Sequence, residues 1–114
     1  MTLRRVNPQE WYSTATVHGG IVYLSGQVAG DTSLDIEGQT RQVFEKIDQE
    51  LAACDTNKSN IIMMTIYLRD MGTFRKMNDI WLDWIDPDSK PCRATVQVGL
   101  GTNYEIEVTL NAAI

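Results

Sequence analysis

The chain has 114 residues, with ten Lys or Arg against fifteen Asp or Glu and a net charge of −5, a length that suits one domain over residues 1–114. Hydrophobic content of 43% and charged content of 22% are those of a soluble globular protein that builds a core without staples. Scattered basic residues disfavour nucleic acid, no apolar run approaches the ~20 residues of a membrane span, and Cys54 and Cys92 stand apart with no CxxC and no second histidine for a metal, so a cytoplasmic protein with reduced thiols is expected.

The N-terminal "MTLRRVNPQEWYS" carries positive charge without the apolar stretch of a signal peptide. "TATVHGGIVYLSGQV" then gives two β-rich runs separated by Gly19-Gly20, a dipeptide that accepts the positive φ angles of a tight hairpin. The period changes in "LDIEGQTRQVFEKIDQELAACD". Here Ile36, Val43, Ile47 and Leu51 recur with Thr40 at helical spacing. Asp35 caps this helix or lies in its first turn, and either position suits the helix dipole.

"NIIMMTIYL" at 60–68 is short, apolar and β-branched, which predicts a buried central strand with Met63-Met64 as packing. A second helix is expected from Thr73, with Phe74, Met77, Trp81 and Trp84 as its apolar stripe and an end before Pro87. At that spacing the two tryptophans read as core and not as a base-stacking platform. His18, the only histidine, reads as a surface residue at a strand end.

The last stretch, "PCRATVQVGLGTNYEIEVTL" (91–110), has two β-patterned runs around a short turn and is expected to fold back on itself about Gly101. Alternation then puts Ala94, Val96 and Val98 with Tyr104, Ile106, Val108 and Leu110 toward the helices. Arg93, Thr95 and Gln97 share the uncovered face with Glu105, Glu107, Thr109 and Asn111. In that register Arg93 is the diagonal neighbour of Glu107, roughly 7–8 Å away between backbones. A cross-strand ion pair, a salt bridge between subunits, and an anion clamp beside a proton-handling carboxylate all fit the spacing. Cys92, beside the arginine, is a candidate redox-sensitive thiol.

The order of elements is therefore β-β-α-β-α-β-β, an α+β domain with two helices on one face of a single mixed sheet. The other face must be exposed or buried against another subunit.

"PCRATVQVGL...YEIEVTL" resembles the C-terminal signature of the RidA/YjgF family of reactive-intermediate deaminases, some of which carry an endoribonuclease label. In that signature a proline sits two residues before an arginine that starts an alternating strand, and an acidic "IEIE"-type strand follows. "YLSGQV" (23–28) is similar to the family's "SGQ" turn, and "YLRDMGTFRKMNDIW" (67–81) to its "D-x-x-x-F-x-x-x-N" passage. The resemblance covers essentially the whole chain.

It implies a chorismate-mutase-like fold, a homotrimer with its sheets around the threefold axis, and ligand sites in the clefts between subunits. The implied activity is cofactor-independent hydrolysis of 2-aminoacrylate, 2-iminopropanoate and 2-iminobutanoate to 2-keto acids and ammonia. On matching positions, Arg93 clamps the substrate carboxylate and Glu107 handles the hydrolytic water. Tyr12 closes the pocket from a neighbouring subunit, Gly26 and Asn78 shape it, and Thr95 stands where many members have cysteine. "EWYSTA" replaces the usual "G-P-Y", so Trp11 competes with Tyr12 for the aromatic role. The alternative is a non-catalytic trimer whose arginine-lined clefts sense small carboxylates or 2-keto acids.

Overall fold

The computed structural model describes residues 2–114. Eight main elements follow one another: β1 (Arg4–Pro8), β2 (Ser13–His18), β3 (Ile21–Val28), α1 (Ile36–Ala53), β4 (Ile61–Leu68), α2 (Phe74–Trp84), β5 (Cys92–Gln97) and β6 (Ile106–Ala113). The strands form one six-stranded mixed sheet in the order β1-β2-β3-β6-β4-β5. The expectation of five strands thus omits β1. That segment, RRVNP, is exposed along nearly its whole length, so it shows no apolar alternation, and its proline is tolerated because the strand lies at the sheet edge.

The local predictions hold in the first half. Gly19 and Gly20 take φ of 60° and 77° in the turn that joins β2 to β3. The Asp35 carboxylate caps α1 by accepting from the Gly38 N–H at 2.9 Å. Ile36, Thr40, Val43, Ile47 and Leu51 of α1 are all buried, together with Phe44. On α2, Met77, Ile80 and Trp81 are buried. Phe44 joins the helices, stacking on Trp84 at 4.4 Å between centroids and meeting Trp81 edge-on at 6.1 Å. Both tryptophans therefore belong to the packing, as their spacing implies.

The terminal hairpin does not form. β5 lies beside β4 and runs parallel to it, with Met64 level with Arg93 and Ile66 level with Thr95. β6 instead sits between β3 and β4, antiparallel to both. A parallel neighbour needs a crossover connection, and α2 supplies it between β4 and β5. The side of β6 that carries Ile106, Val108, Leu110 and Ala112 is buried along its length, and this suits it to the sheet centre.

The helices cover the face that carries Met64, Ile66, Leu68, Val108 and Leu110. The opposite face stays open, and Tyr23, Met63, Tyr67, Glu107, Thr109 and Asn111 lie along it. β4 is thus central by position but covered on one side only. Met64 packs in the core, whereas Met63 is 37% exposed on the open face, correcting the reading of both methionines as packing.

Candidate active site

Arg93 is the second residue of β5, and its register with Met64 sends its side chain to the helix side of the sheet, at the edge where α2 passes. The guanidinium Nη1 donates to Asn78 Oδ1 at 2.8 Å. Its carbon lies 4.8 Å from the Trp81 ring centre and 5.7 Å from that of Phe74. Partial burial among these groups lowers the Arg93 pKa from its ordinary value, since desolvation disfavours the cation. A guanidinium has five N–H donors, so most remain free to bind a planar anion. Thr95 lies two residues on along the same side, and its buried hydroxyl oxygen has no partner among the described residues. Arg93, Asn78 and Thr95 form one polar group at this edge.

Glu107 lies in mid-sheet, level with Val28 of β3 and Tyr67 of β4, and faces the open side. The register of β3 against β6 shifts between Leu24 and Gln27, so Ser25 and Gly26 form a bulge beside it. Ser25 Oγ fastens this bulge to β2 by bonds to the carbonyls of Ser13 (2.7 Å) and Thr14 (2.8 Å). Gly26 has no side chain for a physical reason. A Cβ there would overlap the Glu107 carboxylate, whose Cδ would be 3.0 Å away. The carboxylate lines a cavity of about 510 Å³ together with Trp11, Tyr12, Gly26, Gly101 and Tyr104. It also borders a second hollow of about 360 Å³ against Tyr67 and Thr109.

Two residues that the sequence reading passed over hold this cavity in shape. Arg69 Nε donates to the Tyr104 carbonyl at 2.7 Å, and its Nη2 reaches the carbonyls of Leu100 (3.3 Å) and Gly101. Gln39 is fully buried, donating to the carbonyls of Leu34 (2.9 Å) and Asn103 (3.0 Å) and accepting from the Glu105 N–H (2.9 Å). Both pin the connection between β5 and β6, which carries Gly101 and Tyr104. Gln39 was visible in principle, because it follows Ile36 by three residues on the buried side of α1.

The expected pairing of Arg93 with Glu107 within one chain is not formed. They lie on opposite faces of the sheet, because β5 is the neighbour of β4 and not of β6. Among the described residues neither takes part in an ion pair; the one salt bridge joins Arg69 to Glu105 at 4.0 Å. One chain therefore presents two separate candidate groups. Arg93, Asn78 and Thr95 offer an anion clamp at the sheet edge. Glu107, Gly26, Tyr12 and Trp11 offer an acid or base at the foot of a mostly apolar cavity. Among the described residues no cluster of three His, Cys, Asp or Glu side chains is arranged to hold a metal ion. Among the described residues no helix is long and apolar enough to cross a membrane.

Three comparisons bear on this arrangement. The sequence profile of the family described as "Endoribonuclease L-PSP" matches residues 2–114. A RutC family protein of Haemophilus ducreyi is 37% identical, covering 98% of this chain and 97% of its own. Among solved structures, a member of the YjgF protein family from Neisseria meningitidis superposes with a TM-score of 0.94 at 32% identity, covering 99% of this chain and 95% of the other. A member of the conserved Rid protein family from Yersinia pestis gives 0.86 at 34% identity, over 94% and 90% of the two chains.

Proposed function

The chain belongs to the RidA/YjgF family, also named RutC and endoribonuclease L-PSP, and on that premise we propose that it hydrolyses 2-imino acids and their enamine tautomers to 2-keto acids and ammonia. The observation that carries this reading is the separation of a partly desolvated Arg93 from an unpaired Glu107 on opposite faces of the sheet. Each half is built and incomplete. A second copy that sets its Arg93 edge against the Glu107 cavity of the first completes the site.

Such a contact joins two different surfaces, so it repeats around an axis, and it closes into a ring where the rotation is a whole fraction of a turn. We expect a homotrimer with three equal clefts. The open sheet face supplies apolar surface for it, with Tyr23 47% exposed and Val96 39% exposed on that side.

In the cleft, the Arg93 fork binds the substrate carboxylate while Asn78 holds the fork in orientation. The imine carbon then faces Glu107. A water molecule attacks that carbon, a C–O bond forms, and Glu107 accepts the water's proton and passes it to nitrogen. The resulting carbinolamine collapses. Glu107 then takes the hydroxyl proton and delivers it to the amino nitrogen, the C–N bond breaks as the oxygen becomes the keto C=O, ammonia leaves, and Glu107 is again a carboxylate. Tyr12 closes the cavity over the reacting carbon, and Thr95 offers its free hydroxyl beside the clamp. No covalent enzyme intermediate is needed.

The test is keto-acid release from 2-iminopropanoate generated in place by an amino-acid oxidase. The wild type accelerates it, and both Arg93→Ala and Glu107→Gln abolish the acceleration. Retained turnover in Arg93→Ala removes the clamp from the mechanism. Carboxylate binding without turnover in the wild type favours a sensor of small keto acids instead.

A further inference from the structure

We propose that the Glu107 cavity selects imino acids with an aromatic side chain, and that Trp11 is the residue that sets this preference. The inference rests on the hydrolase reading for its chemistry but concerns the shape and charge of one half-site. Glu107 is the one charged group in the lining, so the substrate's carboxylate is repelled from this cavity and must lie on the Arg93 side. What enters is the neutral end of the substrate.

The room available far exceeds a methyl group. On one chain, before a second copy covers its mouth, the cavity measures about 510 Å³, and an apolar void of about 150 Å³ accommodates benzene, so a ring still fits when half of the space is taken by the second copy. Its walls are three rings, Trp11, Tyr12 and Tyr104, while Gly26 and Gly101 leave their share of the space unfilled. Trp11 is 88% exposed and Tyr12 58% exposed, and no other ring stacks on either among the described residues. Their turn is nonetheless ordered by the bond from the Gln9 N–H to the Tyr12 carbonyl at 2.6 Å. Two indole and phenol faces held at a cavity mouth favour a flat apolar guest, in offset or edge-on contact. Tyr104 stays against the loop because Gly101 has no side chain, where a Cβ would come within 3.0 Å of the ring.

The experiment uses the wild-type assembly and two readouts. Imines made in place from D-phenylalanine and D-alanine compare turnover, and calorimetric titration with phenylpyruvate and pyruvate compares binding without chemistry. The phenyl compound is expected to lead by about tenfold or more in both. Trp11→Ala should shrink that ratio at least fivefold in each readout, and Trp11→Phe should restore most of it. If no imine is turned over yet phenylpyruvate keeps its binding advantage and Trp11→Ala removes it, the hydrolase reading falls and the aromatic preference stands. Equal binding of the two keto acids, a preference for pyruvate, binding of neither, or a ratio unchanged in Trp11→Ala overturns the preference.

Discussion

Arg93 stands level with Met64 on the helix side of the sheet, while Glu107 stands level with Tyr67 on the open side, so the two groups cannot meet within one chain. If they act together they do so in trans, and subunit mixing tests this. Arg93→Ala and Glu107→Gln chains should each be inactive alone. Co-expressed in equal amounts and assembled at random as trimers, they should recover about a quarter of wild-type turnover, because each mixed ring regains one intact cleft of three. Zero recovery in proven hybrids would place the chemistry elsewhere.

Gly26→Ala examines the contact behind Glu107. The added methyl overlaps the carboxylate and forces it to rotate or the bulge to open. Turnover should fall by about a hundredfold, as for a misplaced reacting group, with a far-UV spectrum like that of the wild type. A fully active Gly26→Ala enzyme would show that the carboxylate works from another position.

Asn78 Oδ1 accepts from the Arg93 guanidinium, and in the proposed cleft it orients the clamp without touching the reacting atoms. Removing its carbonyl in Asn78→Ala leaves Arg93 held by Trp81 and Phe74 alone. KM should rise by about tenfold, the loss of one bond to a charged group, with kcat changed much less. Steady-state kinetics on the same imine separates the two constants. A fall confined to kcat would assign Asn78 a part in the chemistry.

Gln39 contributes to stability and not directly to catalysis. Gln39→Leu leaves the Glu105 N–H and the carbonyls of Leu34 and Asn103 without their buried partner. Urea unfolding should show a loss of about 2–4 kcal/mol with an unchanged slope. An unaltered midpoint would mean that water replaces the amide in full.

Cys54 is 1% exposed, and burial raises its thiol pKa above the ordinary value. The folded state therefore favours the neutral thiol. The stability this contributes is complete below the unfolded pKa of about 8.5 and is lost as pH climbs through the folded value. Cys54→Ala should flatten that alkaline decline. In a Cys92→Ser background, a thiol reagent at neutral pH should label Cys54 only as fast as the chain unfolds. Immediate labelling would contradict its burial.

The period of the apolar residues was enough to place α1 and α2 and to name most of the residues they bury, though Gln39, Phe44 and Ile80 were passed over and Phe74 and Trp84 are only partly buried. Asp35 as a cap and Gly19-Gly20 as a hairpin turn follow from side-chain chemistry that acts over three or four residues. The buried face of β6 was equally legible, since Ile106, Val108 and Leu110 alternate with polar neighbours. β1 was not, because a strand exposed on both faces carries no alternating signal. Tyr12 lines the same cavity as Gly26 and Glu107 of its own chain, where the resemblance implies an aromatic ring from a neighbouring subunit, and Arg93 donates to Asn78.

Alternation reveals that a strand has two faces, but not which neighbour it pairs with. Only the tertiary structure decided that β6 takes the centre, where its unbroken apolar side buries most surface, and that β5 is left at the edge beside β4. Helix cover thins at that edge, so an arginine is tolerated on the helix side, half-buried over Trp81. The same twenty residues folded as a hairpin would have put Arg93 with Glu107. Pairing energies between distant segments made the choice, and no local pattern in residues 91–110 encodes them.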